Sequence, residues 1–122
     1  MNTEEAANRL DPQVIKTYEE AVALARAEGD KQDMPKAVEL MEQAAEAGHP
    51  MAQCNMGYFY TVSDTVEVNH TTAATWFQKS ADQGVPQAMF NLARLYRVGS
   101  GVEESAEKSL ALLREAASLG HP

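Results

Sequence analysis

Gly48-His49-Pro50-Met51-Ala52-Gln53-Cys54-Asn55-Met56-Gly57-Tyr58-Phe59-Tyr60 returns 36 residues later as Gly84-Val85-Pro86-Gln87-Ala88-Met89-Phe90-Asn91-Leu92-Ala93-Arg94-Leu95-Tyr96. The stretch before each glycine repeats as well. Lys36-Ala37 through Ala47-Gly48, Thr72-Ala73 through Gln83-Gly84 and Lys108-Ser109 through Leu119-Gly120 lie one above the other. Glycines at 48, 84 and 120 therefore mark the same spacing twice. A fixed period in this range signals stacked helical hairpins rather than a closed globule. Such solenoids mostly bind other macromolecules through an extended surface.

Working outward, three units of 36 account for 108 of the 122 residues. We expect a polar N-terminal segment over 1–11 and one repeat domain over 12–122, with units near 12–48, 49–84 and 85–120. Three repeats are about the minimum for a continuous core, so moderate stability is expected. Ala, Leu, Glu, Gln, Lys and Met dominate and favour helix. The expected class is all-α: a right-handed α-solenoid of three helix-hairpin repeats, six helices in all.

The expected helices run from about Pro12 to Ala27, Pro35 to Ala47, Pro50 to Tyr60, Thr71 to Gln83, Pro86 to Val98 and Glu104 to Leu119. Asp11 and Asp33 are placed to cap free helix amides, and proline suits a first helical turn. Gly29, Gly48, Gly84 and Gly120 offer left-handed stops. The Gly-x-Pro turn between units is too short for anything but antiparallel neighbours. The loops inside the hairpins, Glu28 to Met34, Thr61 to His70 and Arg97 to Glu103, read as longer and more variable.

Helical spacing separates core from open face. The expected core arcs are Ala52, Met56, Phe59 and Tyr60; Ala73, Trp76, Phe77 and Ala81; Ala88, Leu92, Leu95 and Tyr96; and Leu110, Leu113, Ala116 and Ala117. Gly57 and Ala93 sit where another helix must come close. In the first helix, a strict 36-residue register puts Lys16 and Glu20 at core positions. A loop one residue shorter would place Ala21, Val22 and Ala25 there instead, and that is the register we expect.

Ala-Gln-x-x-Met-Gly-x-x-Tyr at 52–60 and Ala-Met-x-x-Leu-Ala-x-x-Tyr at 88–96 resemble the first helix of a Sel1-like repeat. Val98-Gly99-Ser100-Gly101-Val102 resembles the loop of that family, and Ala73-Ala74-x-Trp76-Phe77-x-Lys79-Ser80-Ala81-x-x-Gly84 its second helix. The period of 36 fits too, where a tetratricopeptide unit has 34. The resemblance is clear from Met34 to Pro122 and loose from Pro12 to Asp33. The second unit lacks the loop glycines. Gly120-His121-Pro122 stands where a further unit would begin, so Pro122 is placed to open another helix. The resemblance implies a scaffold for protein complexes. Some cysteine-rich members are credited with binding or hydrolysing β-lactams, but they carry a disulfide in each repeat. Cys54 is the one cysteine here, so that branch does not transfer.

The formal charge is −8, from 18 acidic and 10 basic residues. Nucleic-acid binding needs a basic stripe to displace counterions from phosphate, and the cations here are scattered. The N-terminus lacks the basic and apolar regions of a signal peptide, and no apolar run approaches the ~20 residues of a membrane span. We therefore expect a cytoplasmic protein that binds neither nucleic acid nor membrane.

Solenoids of helical hairpins bind on the concave face, lined by the first helix of each pair. There the arc opposite the core reads Cys54, Asn55 and Tyr58, then Phe90, Asn91 and Arg94. Asn55 and Asn91 would project in parallel, and an amide offers both donor and acceptor to an extended peptide. Cys54 and Phe90 would form an apolar strip beside them. His49, His70 and His121 do not form a metal set, because His49 and His121 lie two repeats apart, with about 10 Å per packed layer. No catalytic constellation and no cofactor motif is present. Glu103-Glu104 sit at a helix start, where they favour the dipole. The expected partner is a protein or extended peptide. The alternatives are a small-ligand-binding or enzyme-accessory role, and self-assembly with the leucine-rich last helix stacking on a second copy.

Overall fold

A computed structural model describes residues 10–62 and 65–120. Among them run six α-helices: α1 Pro12–Arg26, α2 Met34–Glu46, α3 Pro50–Val62, α4 His70–Asp82, α5 Pro86–Val98 and α6 Ala106–Ser118. They form three hairpins, α1/α2, α3/α4 and α5/α6, and each helix packs chiefly on the next. The fold is the expected all-α solenoid. Residues 1–9 of the N-terminal segment, and the His121-Pro122 pair expected to open a further helix, lie outside the described residues.

Caps set the boundaries. Asp11 Oδ1 accepts from the Gln13 amide at 2.7 Å. Asp33 accepts from Lys36 N at 3.0 Å, Asn69 from Thr72 N at 3.0 Å and Ser105 from Lys108 N at 3.1 Å. Each cap holds about 1 kcal/mol of helix stability. At the other end Gly48 has φ +100° and Gly84 φ +84°. The bonds Gly48 N to Ala45 O and His49 N to Ala44 O, and Gly84 N to Ala81 O and Val85 N to Ser80 O, satisfy the last carbonyls. Gly29 behaves differently from expectation. Helix α1 ends on an extended Ala27, and Gly29, at φ +64°, opens a short 3-10 turn over Gly29–Lys31.

The loops inside the hairpins are equal in length, at 27–33, 63–69 and 99–105. A matching bond closes each: Asp33 N to Leu24 O, Asn69 N to Tyr60 O and Ser105 N to Tyr96 O. These acceptors are 36 apart, so the strict register holds in the first hairpin and the expected shorter loop is corrected. Ala21 is fully buried, level with Gly57 and Ala93, and Val22 packs beside it. Lys16 and Glu20 are exposed because they stand level with Ala52 and Met56, which pack into the cluster of the preceding hairpin. Among the described residues α1 has no preceding hairpin to cover it.

Two core clusters result. One joins Ala21, Val38, Met41, Ala44 and Ala45 to Ala52 and Met56. The other joins Cys54, Ala73 and Phe77 to Ala88, Leu92 and Leu95. A polar seam ties the end of α4 back to the start of α3 within the second hairpin. The Gln83 amide donates to Gly48 O and to Gln53 Oε1, both at 2.9 Å, and Ser80 Oγ donates to Pro50 O at 2.8 Å. The expected core of α6 needs correction. Ser109 and Ala116 are buried and Leu112 packs on the core, whereas Leu110 is 48 % exposed, Leu113 37 % exposed, and Ala117 exposed too. Their counterparts Ala74, Phe77 and Ala81 are buried in the cluster shared with α5. No following hairpin is present among the described residues to do the same for α6.

Candidate functional site

The first helices α3 and α5 meet directly. Toward their C-terminal ends they leave a cleft of about 250 Å3. Tyr58 and Val62 of α3, Leu95 and Val98 of α5, and Phe77 of α4 supply its apolar surface. Asn91, Arg94 and Arg97 of α5 and His70 at the start of α4 supply the polar groups. Phe77 is buried and forms the floor, while Tyr58 is 55 % exposed. His70 stands where it does because Asn69 caps α4 and because the α5–α6 loop lies across that end. A Cβ on Gly101 would run into the His70 carbonyl and the Thr71 amide, so only glycine lets the loop come this close. His70 Nδ1 is buried with no hydrogen-bond partner among the described residues.

The structure separates the six residues expected on the open arc. Tyr58, Asn91 and Arg94 come together in the cleft. Asn55 is half-buried, and its amide is directed to Met41 Sδ at 3.7 Å. Asn91 is at the matching position, but Phe77 stands where Met41 does and offers no acceptor, and the Asn91 amide makes no hydrogen bond among the described residues. The two asparagines are thus not equivalent. Phe90 is 40 % exposed but belongs to a separate hollow of about 150 Å3 with Ser109 and Leu113. Arg94 and Arg97 stand on the ridge between cleft and hollow and border both.

Cys54 is misplaced by the helical wheel. It is 6 % exposed and packed with Ala73, Ala74 and Phe77, so it is not on the open face. Burial pushes its thiol up to about 11, against a smaller opposing effect of a bond with Ser80. A thiol that stays protonated is a poor nucleophile and a poor metal ligand. Among the described residues no group of three His, Cys, Asp or Glu side chains is placed to hold a metal ion. Arg97, His70 and Val98 were not expected in the site. Arg97 is one turn beyond Arg94, so continuing the α5 arc to the helix end would have found it. His70 follows a loop and carries no periodic signal.

The carboxylates gather elsewhere. Glu39, Glu42 and Glu46 run along α2 beside an open hollow with Thr65 and Val66. Burial, then the Glu46 charge, raise the Glu42 carboxyl above the usual range. Among the described residues no helix is long and apolar enough to cross a membrane.

Comparison with known proteins follows the same repeat frame. The Sel1 repeat model matches residues 21–49, 50–85 and 86–121. The crystal structure of a Sel1 repeat protein from Oxalobacter formigenes aligns with a TM-score of 0.84 at 24% identity, covering 97% of this chain and 88% of that one. The protective antigen c5321 of uropathogenic Escherichia coli, which displays an SLR fold, aligns with a TM-score of 0.84 at 27% identity, over 99% of this chain and 26% of that one. The immunity protein Pa5087 from Pseudomonas aeruginosa aligns with a TM-score of 0.74 at 33% identity, over 99% of this chain and 46% of that one. The chain thus spans most of the first structure and less than half of the other two. No curated protein sequence matches significantly. With three consecutive repeats matched across most of its length, the chain belongs to the Sel1 repeat family, whose members generally mediate protein–protein interaction.

Proposed function

We propose that this chain is a non-catalytic, cytoplasmic interaction scaffold that binds a partner protein or extended peptide along the α3–α5 cleft. One observation carries the reading. The cleft is apolar and uncovered, and on its rim the Asn91 amide makes no side-chain hydrogen bond and the Arg94 guanidinium no ion pair among the described residues. Polar groups held beside apolar surface without internal partners suit recognition of another chain. Tyr58 adds an exposed aromatic anchor of the kind enriched at interfaces. Phe90 lines the neighbouring hollow, Asn55 is held toward Met41, and Cys54 is withdrawn into the core. The test is an affinity capture with the full chain beside a Tyr58→Ala/Asn91→Ala variant. The partner should bind the wild type and be lost by the variant, with helix content unchanged by circular dichroism. Equal capture by both would end the reading.

A second reading narrows the partner. The 33% identity to Pa5087 over 99% of this chain favours an immunity role, in which the bound protein is a toxin that this chain blocks. The captured partner should then be toxic when expressed alone and harmless when co-expressed with this chain. A harmless partner would remove this second reading.

A further inference from the structure

The α3–α5 cleft specifies more about its occupant than its being a peptide. At about 250 Å3 it exceeds the roughly 150 Å3 of an engineered cavity that takes benzene, so one large apolar side chain fits. Arg94 and Arg97, both exposed, lie one helical turn apart along its rim. Neither guanidinium makes an ion pair among the described residues. None of the residues lining the cleft is an Asp or a Glu, although the chain carries 18 of them. The acidic surplus is displaced to other faces, such as the Glu39, Glu42 and Glu46 row on α2.

Uncompensated guanidiniums beside an apolar cavity are complementary to carboxylates beside an apolar side chain. The planar guanidinium fork matches the two oxygens of a carboxylate, and the Asn91 amide can meet both the donor and the acceptor of an extended backbone. Resting on the groove reading above, we infer that the partner enters as an extended acidic segment. A large aliphatic or aromatic residue of that segment fills the cleft, and neighbouring Asp or Glu side chains pair with Arg94 and Arg97. The net charge of −8 opposes such a ligand at long range. That repulsion is screened beyond about 8–10 Å at physiological salt, so the local cations govern at contact.

Selection from a randomised peptide library displayed on phage, using the full chain, tests this. Enriched peptides should carry Asp or Glu beside a large apolar residue. As synthetic peptides they should bind an Arg94→Glu/Arg97→Glu variant about ten-fold more weakly or worse, and that variant should itself enrich basic peptides. Both arginines are exposed, so circular dichroism should show an unchanged fold. Enriched peptides without acidic surplus, or peptides bound equally well by the charge-reversed variant, would overturn the inference and leave the groove reading standing. If nothing is enriched, or if enriched peptides bind Tyr58→Ala/Asn91→Ala undiminished, the groove reading falls and this inference with it.

Discussion

Gly57 lacks a side chain because Phe77 occupies the space. A Cβ on Gly57 would lie 2.6 Å from the Phe77 ring. At the matching position the other hairpins carry Ala21 and Ala93, both buried. Opposite them, at the Phe77 position, stand Met41 and Leu113. A methyl group is therefore accommodated beside a flexible aliphatic chain, and only hydrogen beside the flat ring. Gly57→Ala is expected to destabilise the protein by about 1 kcal/mol net. Overpacking costs roughly 1–3 kcal/mol, and the gain in helix propensity returns about 1 kcal/mol. Phe77→Leu should recover part of that loss in the Gly57→Ala background. A double-mutant cycle by urea unfolding should give a favourable coupling on the order of 1 kcal/mol; simple additivity would refute the account.

Helix α3 begins on an unusual cap. His49 is buried, stacked on Tyr18 with ring centroids 4.1 Å apart, and its Nδ1 accepts from the amides of Met51 at 3.2 Å and Ala52 at 3.3 Å. The acceptor exists only while Nδ1 is unprotonated. Burial lowers the pKa of the group, against a smaller backbone hydrogen-bond effect. The unfolded chain takes up a proton near pH 6.5, whereas folded His49 resists until lower pH. Acidification therefore weakens folding from about pH 6.5 downward, until the folded site protonates as well. Thermal unfolding between pH 7.5 and 5.5 should show a steeper fall in Tm for the wild type than for His49→Asn, which caps without titrating. Parallel curves would show that His49 is not the sensor. The equivalent start of α5, at Val85, has no side-chain cap, so this pH response belongs to one helix.

Among the described residues the two outer faces differ in kind. The α1 side presents Lys16 and Glu20, while the α6 side presents Leu110 and Leu113, at least 37 % exposed. Stacking copies head to tail would set charges against leucines and bury them unpaired, which is costly. For self-assembly through α6 we therefore propose a face-to-face pairing of the described leucines rather than a head-to-tail stack. Sedimentation velocity over a range of concentrations should show no species larger than a dimer. Leu110→Lys should abolish any dimer and change stability by less than about 1 kcal/mol, since surface substitutions seldom do more. A ladder of higher oligomers would contradict this.

The local plan is written in the chain. Period, caps and stops follow from Asp33, Asn69 and the glycines at 48, 84 and 120, because a cap acts through its own backbone and needs no distant partner. Tyr58, Asn91 and Arg94 were legible as an open face for the same reason: their side chains leave the helix in a direction that helical geometry dictates. Cys54, Leu110 and Leu113 were not. Each helix of a stack has two arcs to bury, one against its hairpin partner and one against the adjacent hairpin, and a helical wheel cannot tell which neighbour is present. Packing buries Cys54 beside Phe77 and leaves Leu113 open at the matching end of the stack. The cleft, too, arises only when α3 and α5 come side by side over Phe77. Its shape is a property of the space between helices that are distant in sequence.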